Sequence, residues 1–328
     1  MERPTFEWII SGVLLASILL IIICALIYYI IQYRKEGKHL FTIGKLAIIS
    51  IFYAFFCIQA TLTAFVQPWS IATNSFIPFS IDDVAVIAVG FIFGPIEGLL
   101  FGMICDPTNV LLIHHWAFQL LPFFTLPLIG LFSGILGRFY FKKNENNLYR
   151  EMIFFQIILF FIGILFIIAA PLMIALGDTL RFGKNGGSTA WGKHNNWKIA
   201  IYVGTTFGLI MIGLMEIIFF NLWNKKKNDV FMEELNKYIP ITEPKNKVTN
   251  PDLRLFIYVF AAAAIGRIYG GIISRPYTQH FYFQMPYFPQ LILRLIDSSY
   301  LIPSATLVSW VVIKYSLVAL KTTQTIER

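Results

Sequence analysis

The stretch IAVGFIFGPIEGLLFGMICD, residues 87–106, decides the fold. It is apolar on both sides of Gly94-Pro95, and its two charged residues are Glu97 and Asp106. Apolar runs favour helices inside a bilayer; glycine permits unusual backbone dihedrals, and proline begins a helix without needing its missing N–H. The stretch therefore predicts a tight helical hairpin within the membrane, with arms at 81–94 and 96–113.

The composition of the whole chain agrees with this membrane location. Of 328 residues, 57% are hydrophobic and 13% are charged, whereas a soluble domain carries about 25% charged residues. So few charges cannot cover a globular surface, which excludes a soluble enzyme, a disordered protein and a nucleic-acid binder. We therefore expect an all-α integral membrane protein in a lipid bilayer. The apolar runs predict nine spans, at 7–33, 44–67, 81–94, 96–113, 117–142, 151–176, 197–224, 253–275 and 289–320.

The distribution of basic residues predicts the orientation. The chain has 26 lysines and arginines against 18 aspartates and glutamates. Most of these cations lie in alternate loops, at 34–38, 138–150, 225–254 and 321–328. Cytoplasmic loops carry such an excess. We expect a multi-pass protein of the cell membrane with its N-terminus outside and its C-terminus in the cytoplasm; the loop 177–196, which holds three cations, runs against the rule.

The sequence predicts no metal site, no cofactor and no catalytic centre. The three cysteines lie in apolar runs, without a C-x-x-C pair. Residues 187–194, GSTAWGKH, nearly spell a nucleotide-binding phosphate loop, but His194 replaces the hydroxyl that would bind Mg²⁺. If this protein drives transport with ATP, another chain must therefore supply the ATPase.

Charges at membrane depth indicate where a ligand could bind, because each is costly and usually paired or functional. Asp106, Arg267, Arg294 and Asp297 lie within predicted spans. Two interpretations are open. Arg294 and Asp297 could pair with each other at the i, i+3 spacing, or Arg267 and Arg294 could face an outward cavity and hold an anionic or heteroaromatic ligand through planar guanidinium contacts.

The outer loops are compatible with such a cavity. Loops 68–80 and 276–290 are dense in aromatic and amide side chains, including Trp69 and Asn74. Aromatic residues at the membrane interface are ordinary anchors, but this density also suits stacking on a flat, polar-edged molecule. His115, at an outer helix end, has a gating role or an interfacial one.

Small residues four apart mark close helix packing. Ser50 and Ala54 have this spacing in the second span, and Gly94, Gly98 and Gly102 have it along the hairpin. Such residues serve packing within the chain or contact with a partner helix.

Three motifs, in order along the chain, resemble the substrate-binding S components of energy-coupling factor (ECF) vitamin transporters. Residues 94–106 are similar to the family pattern G-P-x-x-G-x-x-x-G-x-x-x-D. Residues 122–137, with Phe-Thr-Leu and trailing glycines, resemble its G-F-T-L helix. Residues 294–303 resemble the R-x-x-K-x-x-x-x-x-P opening of the last helix, an ending commonest in the folate-type branch.

The resemblance divides the chain. Residues 41–143 and 253–328 would hold the six core helices of an S component. Residues 1–40 would add an N-terminal span, and 144–252 an inserted two-helix hairpin with a cytoplasmic linker. Residues 266–269, Gly-Arg-Ile-Tyr, replace the family's Asn-Thr dipeptide, which would contact the ligand.

The resemblance implies a high-affinity binding subunit rather than an enzyme. It would capture a B-vitamin, folate favoured and riboflavin an alternative, at its outer face. By position, Asp106, Phe124, Thr125 and Arg294 would line or support the site. We add Arg267 to these site residues because its charge lies within a predicted span, and not because of the resemblance.

The resemblance also implies partners. Ser50 and Ala54 would dock on a transmembrane coupling protein, and two cytoplasmic ATPases would drive toppling and release of the vitamin inside. Loops containing Trp69, Asn74 and His115 would close over the ligand. The alternatives are an autonomous channel or secondary transporter, which predicts interrupted helices in both halves, and a membrane enzyme acting on lipid.

Overall fold

The computed structural model describes residues 16, 19–20, 22–24, 26–31, 34–35, 43–72, 83–113, 123–141, 148–177, 197–224, 251–270 and 287–326. Within them the chain forms nine α-helices and no strand. The helices are α1 (Ile22–Ile31), α2 (Ile43–Ala72), α3 (Asp83–Phe93), α4 (Pro95–Pro107), α5 (Thr125–Phe141), α6 (Leu148–Gly177), α7 (Trp197–Asn224), α8 (Pro251–Arg267) and α9 (Tyr287–Ile326).

The all-α membrane class is confirmed by the length and composition of these helices. Four stretches are long and apolar enough to cross a membrane: Ile43–Phe65, Thr205–Trp223, Pro251–Gly270 and Arg294–Leu320. Helices α1, α3 and α5 are apolar but shorter. The count of nine spans stays a prediction.

The predicted break at Gly94-Pro95 is present and joins α3 to α4. Gly94 alone separates the two helices, with a φ of 128°, a left-handed value that favours glycine. Pro95 then occupies the first position of α4, where its missing N–H costs nothing. The two arms lie side by side, because a Cβ added to Gly98 would lie 2.6 Å from the Gly90 Cα.

Glycines let the α3–α4 hairpin pack directly on the backbone of α5. A Cβ added to Gly98 would collide with the carbonyl of Gly130, and one added to Gly102 would lie 2.5 Å from the carbonyl oxygen of Leu126. Gly134 meets Pro95 in the same way. The small residues of the hairpin therefore serve packing within the chain, which was one of the two predicted roles.

Helix α1 packs along α5 and runs in the same direction. Ile22 is buried in an apolar cluster with Leu128 and Leu131 of α5. About two to three turns further along both helices, the guanidinium of Arg138 lies 4.6 Å from the ring centre of Tyr29, within the range of a cation–π contact.

Helices α6 and α7, in the predicted insertion, pack against α8 and α9. The apolar cluster that joins them consists of Met152, Phe155, Leu159, Met215, Phe219, Leu222, Leu253, Phe256, Ile257, Phe260, Ala264 and Ile302. Phe155 stacks on Phe219 at 5.0 Å and meets Phe260 edge-on at 4.7 Å, geometries that aromatic pairs prefer. The insertion therefore shares a core with the last two helices.

Ion pairs tie the helices together at the end that adjoins the basic loops. Lys45 of α2 pairs with Glu97 of α4 at 3.2 Å, and Lys314 of α9 pairs with Asp252 of α8 at 2.7 Å. Pairing of this kind is what makes a carboxylate tolerable at membrane depth.

A buried ionic cluster as the candidate functional site

The opposite end of the bundle brings three helix termini together. Asp83 is the first residue of α3, Arg267 is the last residue of α8, and Arg294 lies near the start of α9. Asp106, near the end of α4, lies at the same end of the hairpin as Asp83, because α3 and α4 fold back from Gly94. The charges that the sequence places at membrane depth thus collect in one region.

Asp83 and Arg267 form a buried two-point ion pair. Nε of Arg267 lies 3.0 Å from Oδ2 of Asp83, and Nη2 donates a hydrogen bond of 3.1 Å to Oδ1. The side chains are only 4% and 8% exposed. Each also sits at the helix end that suits its charge, because a helix N-terminus favours an anion and a C-terminus a cation. The pair therefore joins α3 to α8 and neutralises Arg267.

Arg294 pairs within its own helix. Its Nη1 donates to Oδ2 of Asp297 at 2.8 Å, and the Tyr300 hydroxyl donates to Oδ1 of the same carboxylate at 3.3 Å. This is the i, i+3 pair that the sequence allowed as one of two interpretations. Nε of Arg294 is buried, and within the described part of the chain it has no hydrogen-bond partner. One strong donor of this guanidinium is thus left for another acceptor.

Tyr300 lies near both ion pairs. Its side chain is almost fully buried, its hydroxyl donates to Asp297, and Arg267 is close enough for its charge to act on that hydroxyl. Asp83, Arg267, Arg294, Asp297 and Tyr300 therefore lie in one region of the bundle and are called here the ionic cluster. The charges of its two arginines and two aspartates cancel. The cluster can therefore bind a ligand through directed hydrogen bonds, but not through a net charge.

Asp106 is buried where α4 changes its winding. It is 7% exposed. Pro107 follows, and residues Thr108–Ile113 continue as a π-helix. Such wide turns occur frequently at functional sites. The segment is held from α2, where the Tyr53 hydroxyl shares a hydrogen bond of 2.9 Å with Thr108 Oγ1.

Phe124 and Thr125 lie at the start of α5, on two different contacts. Phe124 is buried in the apolar cluster that includes Ile22 of α1 and Leu128, so the structure places it beside α1 and not among the ionic cluster. Thr125 contacts the residues that follow α8, because a Cβ added to Gly270 would collide with the Thr125 methyl group. Gly270 lies three residues, about one helical turn, beyond Arg267.

Three of the five predicted docking and gating residues lie in α2. Ser50 and Ala54 are exposed on one face of α2, and the Ser50 hydroxyl donates to the Leu46 carbonyl at 2.9 Å. Trp69, predicted in a loop that starts at residue 68, lies within α2, because that helix continues to Ala72. Asn74 and His115 lie outside the described residues.

Two residues of this region escaped prediction from the sequence. Asp83 was overlooked because it stands at the edge of an apolar run, although an arginine at membrane depth requires a counter-charge and an aspartate at a helix start is well placed to supply it. Gln59 was overlooked as one polar residue in a long apolar helix. It is 2% exposed, and neither its amide nitrogen nor its amide oxygen has a hydrogen-bond partner.

Known proteins give no match to set beside this geometry. No family model matches the chain, and neither a curated protein nor a solved structure matches it. Among the described residues, no group of three histidine, cysteine or acidic side chains could hold a metal ion. The ionic cluster and its surroundings are therefore the candidate binding site.

Proposed function

We propose that this protein is the membrane-embedded binding subunit of an ECF-type vitamin importer. It captures a B-vitamin, folate favoured, at the outer face and releases it inside after docking on a coupling module. The observation that carries the proposal is the ionic cluster: charged side chains buried at the end of the bundle away from the basic loops, with an unused guanidinium donor. By the distribution of basic residues this end faces outward.

The composition of the site favours binding of a polar, flat molecule. Arg267 and Arg294 present planar guanidinium groups, which stack on rings and donate in fixed directions. Asp106 adds a buried carboxylate, whose oxygens accept hydrogen bonds. In this proposal Asp106, Thr125, Arg267 and Arg294 contact or support the ligand, and Phe124 stabilises the start of α5 from the side of α1.

The exposed face of α2 supports the docking step. Ser50 and Ala54 are exposed there, and short side chains let a partner helix approach closely. The Ser50 hydroxyl is already bonded within the helix, so contact with an apolar surface leaves no donor unpaired. A transmembrane coupling protein docks on this face, and its two ATPases supply the energy.

The proposal is tested by a thermal-shift screen of the purified protein alone against folate, riboflavin, thiamine and biotin. At 100 times its dissociation constant, a ligand adds about 2.7 kcal/mol to the stability of the folded state. We expect one vitamin to give such a shift. A channel, a secondary transporter of ions or a lipid enzyme gives none with this panel.

A matched pair of variants shows whether the shift comes from the ionic cluster. The double variant Arg294→Gln/Asp297→Asn removes one ion pair of the cluster without leaving either partner charged. The variant Asp252→Asn/Lys314→Gln does the same to an ion pair at the other end of the bundle, with similar burial of the basic partner. We expect the first variant to lose the vitamin-induced shift and the second to keep it. The reverse result would place the binding site elsewhere.

A further inference from the structure

Gln59 is a buried amide without hydrogen-bond partners among the residues that the structure describes. It is 2% exposed, and both its Nε2 and its Oε1 lack a partner. Native proteins pair nearly all such groups, because a buried donor or acceptor that gives up its water without a replacement costs stability. Here a donor and an acceptor on one side chain are both left open. An unpaired group of this kind calls for an explanation, and an incoming ligand is one that the position of Gln59 supports.

The packing of α2 places Gln59 at the end of the bundle that holds the ionic cluster. Lys45 contacts Glu97, and further along both helices Tyr53 contacts Thr108, so α2 and α4 run in the same direction. Gln59 lies six residues beyond Tyr53, which at the rise of a helix is about 9 Å nearer that end.

The side chains around Gln59 confirm that it faces inward. Its neighbour Ala60 is fully buried in the cluster that also contains Ala85 and Val86, in the first turn of α3 after Asp83. One turn further along α2, the buried Thr63 donates its hydroxyl to the Gln59 carbonyl at 2.9 Å. That bond occupies the backbone of Gln59 and leaves its amide side chain unbonded.

We infer that Gln59 is a ligand-recognition residue, and that its amide pairs with a ring edge carrying an N–H donor next to a carbonyl or ring-nitrogen acceptor. An amide side chain offers one acceptor and one donor side by side, so it matches such an edge with two hydrogen bonds. Pteridine and isoalloxazine rings have this edge. The inference rests on the proposed function and specifies which part of the ligand determines affinity.

The charge balance of the ionic cluster supports recognition of the ring rather than of an anionic tail. Asp83 neutralises Arg267, and Asp297 neutralises Arg294. A carboxylate of the ligand could accept from the Nε of Arg294, but any further contact with either guanidinium would compete with an aspartate that is already in contact with its arginine. A neutral ring edge displaces nothing when it pairs with Gln59. The uncharged ring is therefore the main determinant of affinity, and a carboxylate tail adds little.

The test measures equilibrium binding of two probes, folate and 6-hydroxymethylpterin, which share the ring edge and differ in the carboxylate tail. On the wild-type protein we expect dissociation constants within about tenfold of each other. In Gln59→Leu we expect both probes to bind about ten- to a hundredfold more weakly, because the ring edge then meets an apolar side chain. Riboflavin and its N3-methylated form, which lacks the ring N–H, repeat the comparison on the other ring system.

Control variants separate recognition from folding. Gln156→Leu removes another glutamine of a membrane helix, one whose amide donates to Glu216 at 3.1 Å, and we expect it to leave probe affinity unchanged. Without ligand, Gln59→Leu should melt no lower than the wild type, because it removes an unpaired polar group.

Three results would overturn the inference while the proposed function stands: unchanged affinity in Gln59→Leu, a lower melting temperature of ligand-free Gln59→Leu, or folate bound more than a hundredfold tighter than the pterin. The second result would mean that water already satisfies the amide. If no flat-ring probe binds but another vitamin does, the inference about the ring edge is wrong and the transporter proposal survives. If no vitamin binds the wild type, both fall together.

Discussion

Removal of one partner from the Asp83–Arg267 pair should cost far more stability than removal of both. In Asp83→Asn, the Arg267 guanidinium keeps its charge in a position where its side chain is 8% exposed. Leaving one charge of a buried pair uncompensated costs about 3–5 kcal/mol, whereas replacing the whole pair by neutral groups is often nearly neutral. We therefore expect a large loss in Asp83→Asn and near-complete recovery in Asp83→Asn/Arg267→Gln.

The measurement is reversible unfolding of the detergent-solubilised protein in increasing sodium dodecyl sulfate, followed by tryptophan fluorescence. A double-mutant cycle over Asp83 and Arg267 gives the coupling free energy of the pair. Asp297→Asn is the comparison, because the pair of Asp297 with Arg294 is more exposed and should cost less when broken. A cost of less than about 1 kcal/mol in Asp83→Asn, or additive effects of the two substitutions on the free energy of unfolding, would show that the two side chains do not stabilise each other.

Three further predictions concern packing, docking and orientation. Gly98→Ala should destabilise the protein by about 1–3 kcal/mol, because the added Cβ would collide with the α5 backbone. Gly163→Ala should not destabilise it, because open space surrounds Gly163. Equal stabilities of the two variants in the same unfolding assay would contradict this prediction. Ala54→Trp should abolish ATP-driven uptake in cells while leaving vitamin affinity of the purified subunit unchanged, and a loss of both would mean that the face of α2 does not serve docking alone. A fluorescent protein fused after Arg328 should fluoresce in the cytoplasm; an inactive fusion that is accessible to external protease would reverse the orientation.

The helices could be predicted from the sequence because local signals mark them. The break at Gly94-Pro95 is set by the dihedral freedom of glycine and by proline at a helix start, and it appears where expected. Helix ends were less predictable. Helix α2 continues to Ala72, and α9 continues to Ile326, six residues past the predicted end at 320. The extension of α2 runs through Pro68, a residue that usually interrupts a helix, so local propensity alone does not predict where this helix ends.

The charges of the site could be located from the sequence, but their partners could not. Asp106, Arg267 and Arg294 stood out because ionisable residues are rare inside a membrane. The Arg294–Asp297 pair was visible as well, because its spacing of three is local. Arg267 instead pairs with a residue 184 positions away. Nothing in one sequence reports such a contact.

Phe124 and Gln59 also show that the surroundings of a side chain cannot be predicted from the sequence. An aromatic residue beside a predicted site can face either the ligand or the core. Phe124 faces the core, because it is buried in an apolar cluster with a residue of α1. A glutamine in an apolar helix can be bonded or open, and only the surrounding side chains show that both amide atoms of Gln59 are unpaired.

The most direct test of the central claim is equilibrium binding of a vitamin to the purified protein in the absence of any coupling protein or ATPase. We expect saturable binding of one vitamin per chain with a submicromolar dissociation constant, equivalent to more than about 8 kcal/mol of binding free energy, and loss of that binding in Arg294→Gln/Asp297→Asn. If the protein binds no vitamin saturably on its own, it is not a capture subunit.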